Sequence, residues 1–328
     1  MKTLRFISSW LLGALCSAAA FQAAAQGFPN KPVNLVVPYP AGGPSDYVAR
    51  QIQPELGKIL GQPVIVENIG GVGGAIAIQK VLSGPADGHQ LTLGTPMELV
   101  LAPLAMSAVK FKPEDMKVVA RVGTTSMVLL TRKDLPANNI DELLALVKKP
   151  GAPELSYGSV GPGSLYHLVG EKFSQISGAK MLHVPYKGAA PLLTDLMGGQ
   201  IDLVFMPLAG GTPGMMAEGK VKALGITGRT PHPKFPQLPA LAAHKGMEGL
   251  EFDLWAGLQV PAKTPADVTQ KLNKVIYEAL QNPTLRNNLE STGTLVGAPL
   301  SVDELTRMYG TEITRYQAIA RSINLQPQ

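Results

Sequence analysis

Short apolar, β-branched runs alternate along this chain with loops rich in Gly, Pro and Ser, and with segments whose apolar residues recur every three or four positions. The short runs read as buried strands and the longer period as amphipathic helices, so the pattern predicts an α/β fold with parallel strands. In the first unit, 33–37 is a strand and 38–46 a loop, and Val48, Ile52, Leu56 and Ile59 share one helical face. Pro54 falls inside that helix and is expected to kink or end it. The same grammar predicts a strand at 64–67, a glycine loop, a helix at 75–82 and a strand at 91–94.

A second series opens with a strand at 127–131 and a helix at 140–148. Strands at 155–158, 181–184 and 201–205 then alternate with helices at 165–176 and 192–197. After the Pro-rich stretch 230–239, a strand at 252–260 leads only into helices. Thr264, Pro265 and Asp267 mark the start of one as cap, first and third positions, and Ser301 with Glu304 forms a capping box for the last. Those helices need a sheet to cover, so the C-terminal segment should return to the first lobe. The chain then crosses between two lobes twice, near Gly123–Ser126 and Gly246–Leu250, which makes a hinge. The boundaries expected are 26–124 plus 251–328 for lobe 1 and 125–250 for lobe 2.

The first 25 residues change the compartment. Lys2 and Arg5 precede a short Ala-rich apolar run, and Ala23 and Ala25 supply a small-residue cleavage site, so 1–25 reads as a secretory signal with the mature chain starting near Gln26 or Gly27. No later run has the roughly 20 apolar residues of a spanning helix. Cys16, the only cysteine, lies in the signal behind the bulky Leu15, against lipid anchoring, and the mature chain has no thiol for disulfide, metal or nucleophile. Without Lys2 and Arg5, 27 basic residues face 24 acidic ones, a net charge of +3 with no basic runs. This is no nucleic-acid footprint and only a mild bias toward anions.

Three loops stand between a strand and a helix: Tyr39 to Asp46, Gly158 to Ser164, and Pro185 to Pro191. Helix N-termini present unpaired N–H groups and the positive end of the helix dipole, and glycine admits a ligand close to backbone, so the three together suit an anion held between lobes. Each loop alone could equally be a tight connection whose Ser or Asp caps its own helix. Asp46 reads as a cap or loop stabiliser, His167 as a ligand or loop partner, and Lys187 as an anion steerer or a solvated side chain. The glycine cluster Gly70 to Gly74 has no complete phosphate-binding motif and reads as close loop–helix packing. Catalysis would have to draw on Ser159, Ser164, His167, His183 and Asp46, but Gly158-Ser159-Val160-Gly161 is not a nucleophile elbow and no metal spacing appears. The reading is a non-enzymatic binding protein without cofactor or metal.

These residues resemble the tripartite tricarboxylate transporter receptors, also called Bug receptors. The resemblance rests on Val36 to Asp46 with Ala49-Arg50, Val66-Glu67-Asn68 with Gly70 to Gly74, Ala86-Asp87-Gly88, Ser156 to Ser159, Gly163-Ser164, His167-Leu168, His183 to Gly188, Asp195-Leu196 and Gly198-Gly199-Gln200. It implies a two-lobe periplasmic-binding-protein (Venus flytrap) fold gripping a small organic carboxylate largely through backbone and water, for delivery to a membrane permease. By that similarity the contacts are Tyr39, Ala41, Gly42, Ser45, Asp46 and Thr95 from the first lobe, and Ser159, Gly163, Ser164, His167, Lys187 and Gly188 from the second. His89 stands where the family pattern has tyrosine. Phe205 to Leu208 lacks the usual polar residues, so Met206 and Leu208 are expected to offer the cleft an apolar wall. A monomer is expected. A sensor module for a membrane signalling protein, and more distantly a hydrolase or lyase using Ser164 and His167, are the alternatives.

Overall fold

The computed structural model describes residues 27–149, 151–152, 154–322 and 325, and the signal reading of 1–25 lies outside them. The first half-sheet carries β1 (Val33–Val37), β2 (Val64–Asn68) and β3 (Gln90–Gly94), with β1 parallel to both neighbours. Between them run α1 (Pro44–Leu60) and α2 (Ala75–Ser83). A buried helical stretch, Met97–Leu101 followed by α3 (Ala102–Ala105), has no counterpart in the strand-and-helix reading of the sequence.

The largest difference from the sequence reading is β4 (Met116–Arg132), one strand of 17 residues where only 127–131 was expected. Its first part pairs antiparallel with β9 (Asp253–Pro261), which in turn pairs with β3. Its last part pairs antiparallel with β7 (Leu203–Pro207) and β8 (Val221–Ile226), the latter also unanticipated. The second half-sheet is completed by the parallel β5 (Leu155–Ser159) and β6 (Met181–Pro185), with α4 (Ile140–Lys148), α5 (Leu165–Ser177), α6 (Ala189–Met197) and the short α7 (Thr212–Ala217) in the connections. Thus β4 and β9 run side by side across the junction, Ser126 opposite Asp253. These are the two crossings of a two-lobe fold.

Helix α1 runs through Pro54 without ending, because Val48, Ala49, Ile52, Leu56 and Leu60 bury one continuous face that outweighs the lost backbone bond. The last helices are α8 (Ala266–Ala279), α9 (Pro283–Ser291) and α10 (Val302–Ser322). Helix α8 starts one residue later than expected, with Pro265 as its N-cap, and packs Leu272 and Ile276 into the same core as Leu35 and Leu91. The box before α10 is formed: Ser301 N–H donates to Glu304 (2.8 Å) and Glu304 N–H to Ser301 Oγ (3.3 Å).

Glycine tolerance is tight where helix meets sheet. A Cβ on Gly170 in α5 would lie 2.2 Å from the ring of the fully buried Tyr157. Gly→Ala inside a helix normally stabilises by up to about 1 kcal/mol. Here overpacking of about 1–3 kcal/mol reverses the sign, and urea unfolding of Gly170→Ala is expected to show a net loss of stability.

Candidate functional site

Between β1 and α1, the first loop is held from behind. Asp46, 4 % exposed, accepts from Gly42 N–H (2.9 Å) and from Arg50 Nε (3.0 Å). Arg50 donates on to Asn68 Oδ1 (3.3 Å), and Asn68 Nδ2 to the Tyr39 carbonyl (3.1 Å). Burial by itself raises the Asp46 carboxyl, but the Arg50 hydrogen bond and the Gly42 N–H outweigh it and hold the group below its usual range. Removing these bonds by Asp46→Ala is expected to cost about 1–3 kcal/mol in thermal unfolding.

A second acid, absent from the sequence-based candidates, sits in the first lobe. Glu98 is fully buried and accepts from Thr95 N–H, Thr95 Oγ1 (2.8 Å) and Tyr39 Oη (3.1 Å). Burial raises its pKa to about 7, against the opposing pull of those donors. The glycine cluster exists partly for this residue, since a Cβ on Gly74 (φ +91°) would lie 2.7 Å from Glu98 Cβ. A Thr-Pro-x-Glu run directly after a strand was the available signal; the burial that makes it informative is tertiary.

In the second lobe the polar residues of the loop bind one another. Ser159 Oγ lies 2.6 Å from His183 Nε2 and accepts from Gly161 N–H (3.0 Å). The His183 ring stacks on His167 at 4.2 Å. Burial, then the neighbouring His167, lowers His183 to about 4, so it is neutral. Gly163 N–H donates to His167 Nδ1 (3.0 Å), and Ser164 Oγ donates to the Gly161 carbonyl (2.7 Å) while capping α5. Among the described residues no hydrogen bond joins the Ser164 hydroxyl to the His167 ring, so the two do not form a nucleophile–base pair; Ser164 Oγ and His167 Nδ1 are each engaged with loop backbone.

The lobes meet across a closed cleft. Added Cβ atoms would touch Pro40 from Gly188 (3.1 Å), Ala105 from Gly163 (2.0 Å) and Pro44 from Gly210 (3.4 Å). Behind these contacts lies a narrow cavity of about 50 Å³ that opens partly to solvent. It is bounded by the start of α1 (Gly43, Pro44, Ser45) and the start of α6 (Ala189), so helix N-termini from opposite lobes face one space.

Of the residues singled out from sequence, Tyr39, Ser45 and Thr95 line this cavity, and Gly163 and Ser164 line a smaller gap beside it. Ala41 and Gly42 are exposed on the outer turn of their loop, Asp46 lies behind it, and Lys187 is exposed. Ser159 and His167 belong to the second-lobe network, and Gly188 to the interlobe contact. Met206 and Leu208 are fully buried in the second-lobe core, contrary to expectation; the strand's alternation turns Pro207 to the cavity, and Ala209 beyond its end also lines it. Missed from sequence were Tyr166 and the crossing-strand residues Thr124, Thr125, Leu254 and Ala256. Among the described residues, none forms a metal-binding cluster and no helix is long and apolar enough to cross a membrane.

A family model described as tripartite tricarboxylate transporter family receptor matches residues 48–325. The chain is similar in structure to the periplasmic binding protein BugD, with a TM-score of 0.85 and 32 % identity over 92 % of this chain and 100 % of that one. MatC from Rhodopseudomonas palustris, solved with bound malate, gives 0.82 and 31 % over 89 % and 99 %. An R. palustris protein solved with adipate gives 0.86 and 29 % over 92 % and 100 %.

Proposed function

Because the chain belongs to the tripartite tricarboxylate transporter receptor family, a family of solute receptors and not of enzymes, we propose that it captures a small organic carboxylate in the periplasm and delivers it unchanged to a membrane permease. The observation that carries this reading is the convergence of the α1 and α6 N-termini, from opposite lobes, on one cavity. Such termini favour negative charge through their free N–H groups and dipole. The malate and adipate carried by two similar proteins support an acid as the ligand.

In this reading residues 1–25 are a removed export signal, 26–124 and 251–328 form one lobe, 125–250 forms the other, and the chain acts as a monomer. Tyr39, Ser45 and Thr95 meet the ligand from the first lobe and Gly163 and Ser164 border it from the second, with Ala41, Gly42, Asp46, Ser159, His167 and Gly188 shaping the loops that close and Lys187 steering anions from outside. A thermal-shift screen of the refolded protein against mono-, di- and tricarboxylates and neutral controls tests it. Stabilisation by acids alone, with the compound recovered unchanged, is the expected result; about 2.7 kcal/mol is expected at a hundredfold excess over Kd. Stabilisation by neutral compounds only, or turnover of the compound, would sink the proposal. Delivery is tested by ligand-dependent capture of the permease's membrane subunits.

A further inference from the structure

The side chains around the cavity narrow the class of acid. Among the described residues, no Lys, Arg, His, Asp or Glu lines it. Val48, Met97, Val160, Pro207, Leu254 and Ala256 form apolar walls contributed by both lobes and by β9. Three of the lining hydroxyl groups are already engaged with the protein itself. Tyr39 and Thr95 donate to Glu98, and Thr125 Oγ1 donates to the Leu208 carbonyl (2.8 Å). A second carboxylate on the ligand would thus meet hydrocarbon and neutral hydroxyl groups, next to a buried acid one residue deeper, with no cation to offset its desolvation.

A buried phenol on the wall is also unused. Tyr166, 3 % exposed and on the cavity wall, has no hydrogen-bond partner for its hydroxyl among the described residues, while Tyr157, the other buried tyrosine of the second lobe, donates to Glu171 (2.5 Å). A phenol held nine-tenths out of water without a partner is an open donor for something that enters the cavity.

Resting on the carboxylate-receptor reading, we propose that the preferred ligand is a monocarboxylate with an apolar ring or chain as its body, its carboxylate at the helix N-termini, its body between the apolar walls, and Tyr166 as a hydrogen-bonding contact. Titration calorimetry on the refolded protein with benzoate, cyclohexanecarboxylate, adipate, malate and citrate tests this. Benzoate or cyclohexanecarboxylate is expected to bind at least tenfold more tightly than any of the three polycarboxylates. If a polycarboxylate binds as tightly or more so, this inference falls while the carboxylate receptor stands. If none of the five acids binds, both fall. Tyr166→Phe is expected to weaken the preferred monocarboxylate about tenfold with the ligand-free melting temperature within a few degrees of the parent; unchanged affinity would remove Tyr166 from the site.

Discussion

Gly163→Ala is expected to weaken binding of the acid identified by screening by about tenfold to a hundredfold, while the ligand-free protein stays folded. The added methyl would sit 2.0 Å from Ala105 Cβ, across the contact between lobes, with Ala105 Cα at 3.4 Å leaving little room to yield. Overpacking of this kind costs about 1–3 kcal/mol, and each 1.4 kcal/mol is a factor of ten in affinity. That cost is present only when the cleft is closed. The left-handed backbone at Gly163 (φ +74°) adds about 1 kcal/mol for alanine whether the cleft is open or shut, so the free protein should lose only a few degrees in melting temperature. Calorimetry and thermal unfolding separate the two effects. Undiminished affinity would show that binding does not need this contact, and the closed geometry would then not be the liganded one.

The second large effect is a pH dependence in which two buried groups oppose each other. Glu98 has its folded pKa raised to about 7, above the ordinary carboxyl value of 4.5. Between those values the folded chain holds a proton that the unfolded chain has released, so stability falls as pH rises, by about 3 kcal/mol in all. His183 is displaced the other way, to about 4 from 6.5. Below pH 6.5 the unfolded chain binds a proton that the folded chain refuses, so stability rises with pH from about 4 to 6.5. Being half-buried, His183 is expected to contribute about 2 kcal/mol, and His167 and His232, both lowered by burial, add to the same limb. In the parent these trends partly cancel.

The variants should separate them. Glu98→Gln keeps an acceptor for Thr95 and removes the charge, so its stability relative to the parent should improve by about 3 kcal/mol between pH 4.5 and pH 8. His183→Asn should weaken the rising limb and leave the fall through pH 7 in view. Urea titrations across pH 4 to 8 measure both; a Glu98→Gln curve parallel to the parent's would mean that Glu98 is ionised in the folded protein throughout.

Much of this molecule is legible in its sequence because local chemistry decides it. The 140–148 helix and the 33–37 strand are found where the periodicity places them, since each buries one face and little else competes. The Ser301 and Glu304 box forms as expected because its bonds span only three residues. The three glycine loops do stand at strand-to-helix turns, and two of them bring helix N-termini to the cavity.

What the sequence could not decide is which partner a group finds when that partner lies far along the chain. The full length of β4 was hidden because its residues are buried by partners distant in sequence, so the sequence placed a crossing at Gly123 to Ser126 but not the continuous strand that runs through it. Pro54 was overruled by the packing of its helix. Met206 and Pro207 are neighbours in sequence, yet a strand's two-residue period sends one to the core and the other to the cavity. Ser159, Ser164 and His167 have the composition of a reactive site, but their distances make them the fastening of a loop. The sequence by itself determined the two-lobe α/β plan and the loops that face the cleft, through short-range pattern and turn chemistry. Only the tertiary structure decided that Glu98 is a buried acid beside the cleft, that Tyr166 is left with a free hydroxyl, and that the walls carry no charge, because burial and pairing belong to the packed chain and not to any one stretch of it.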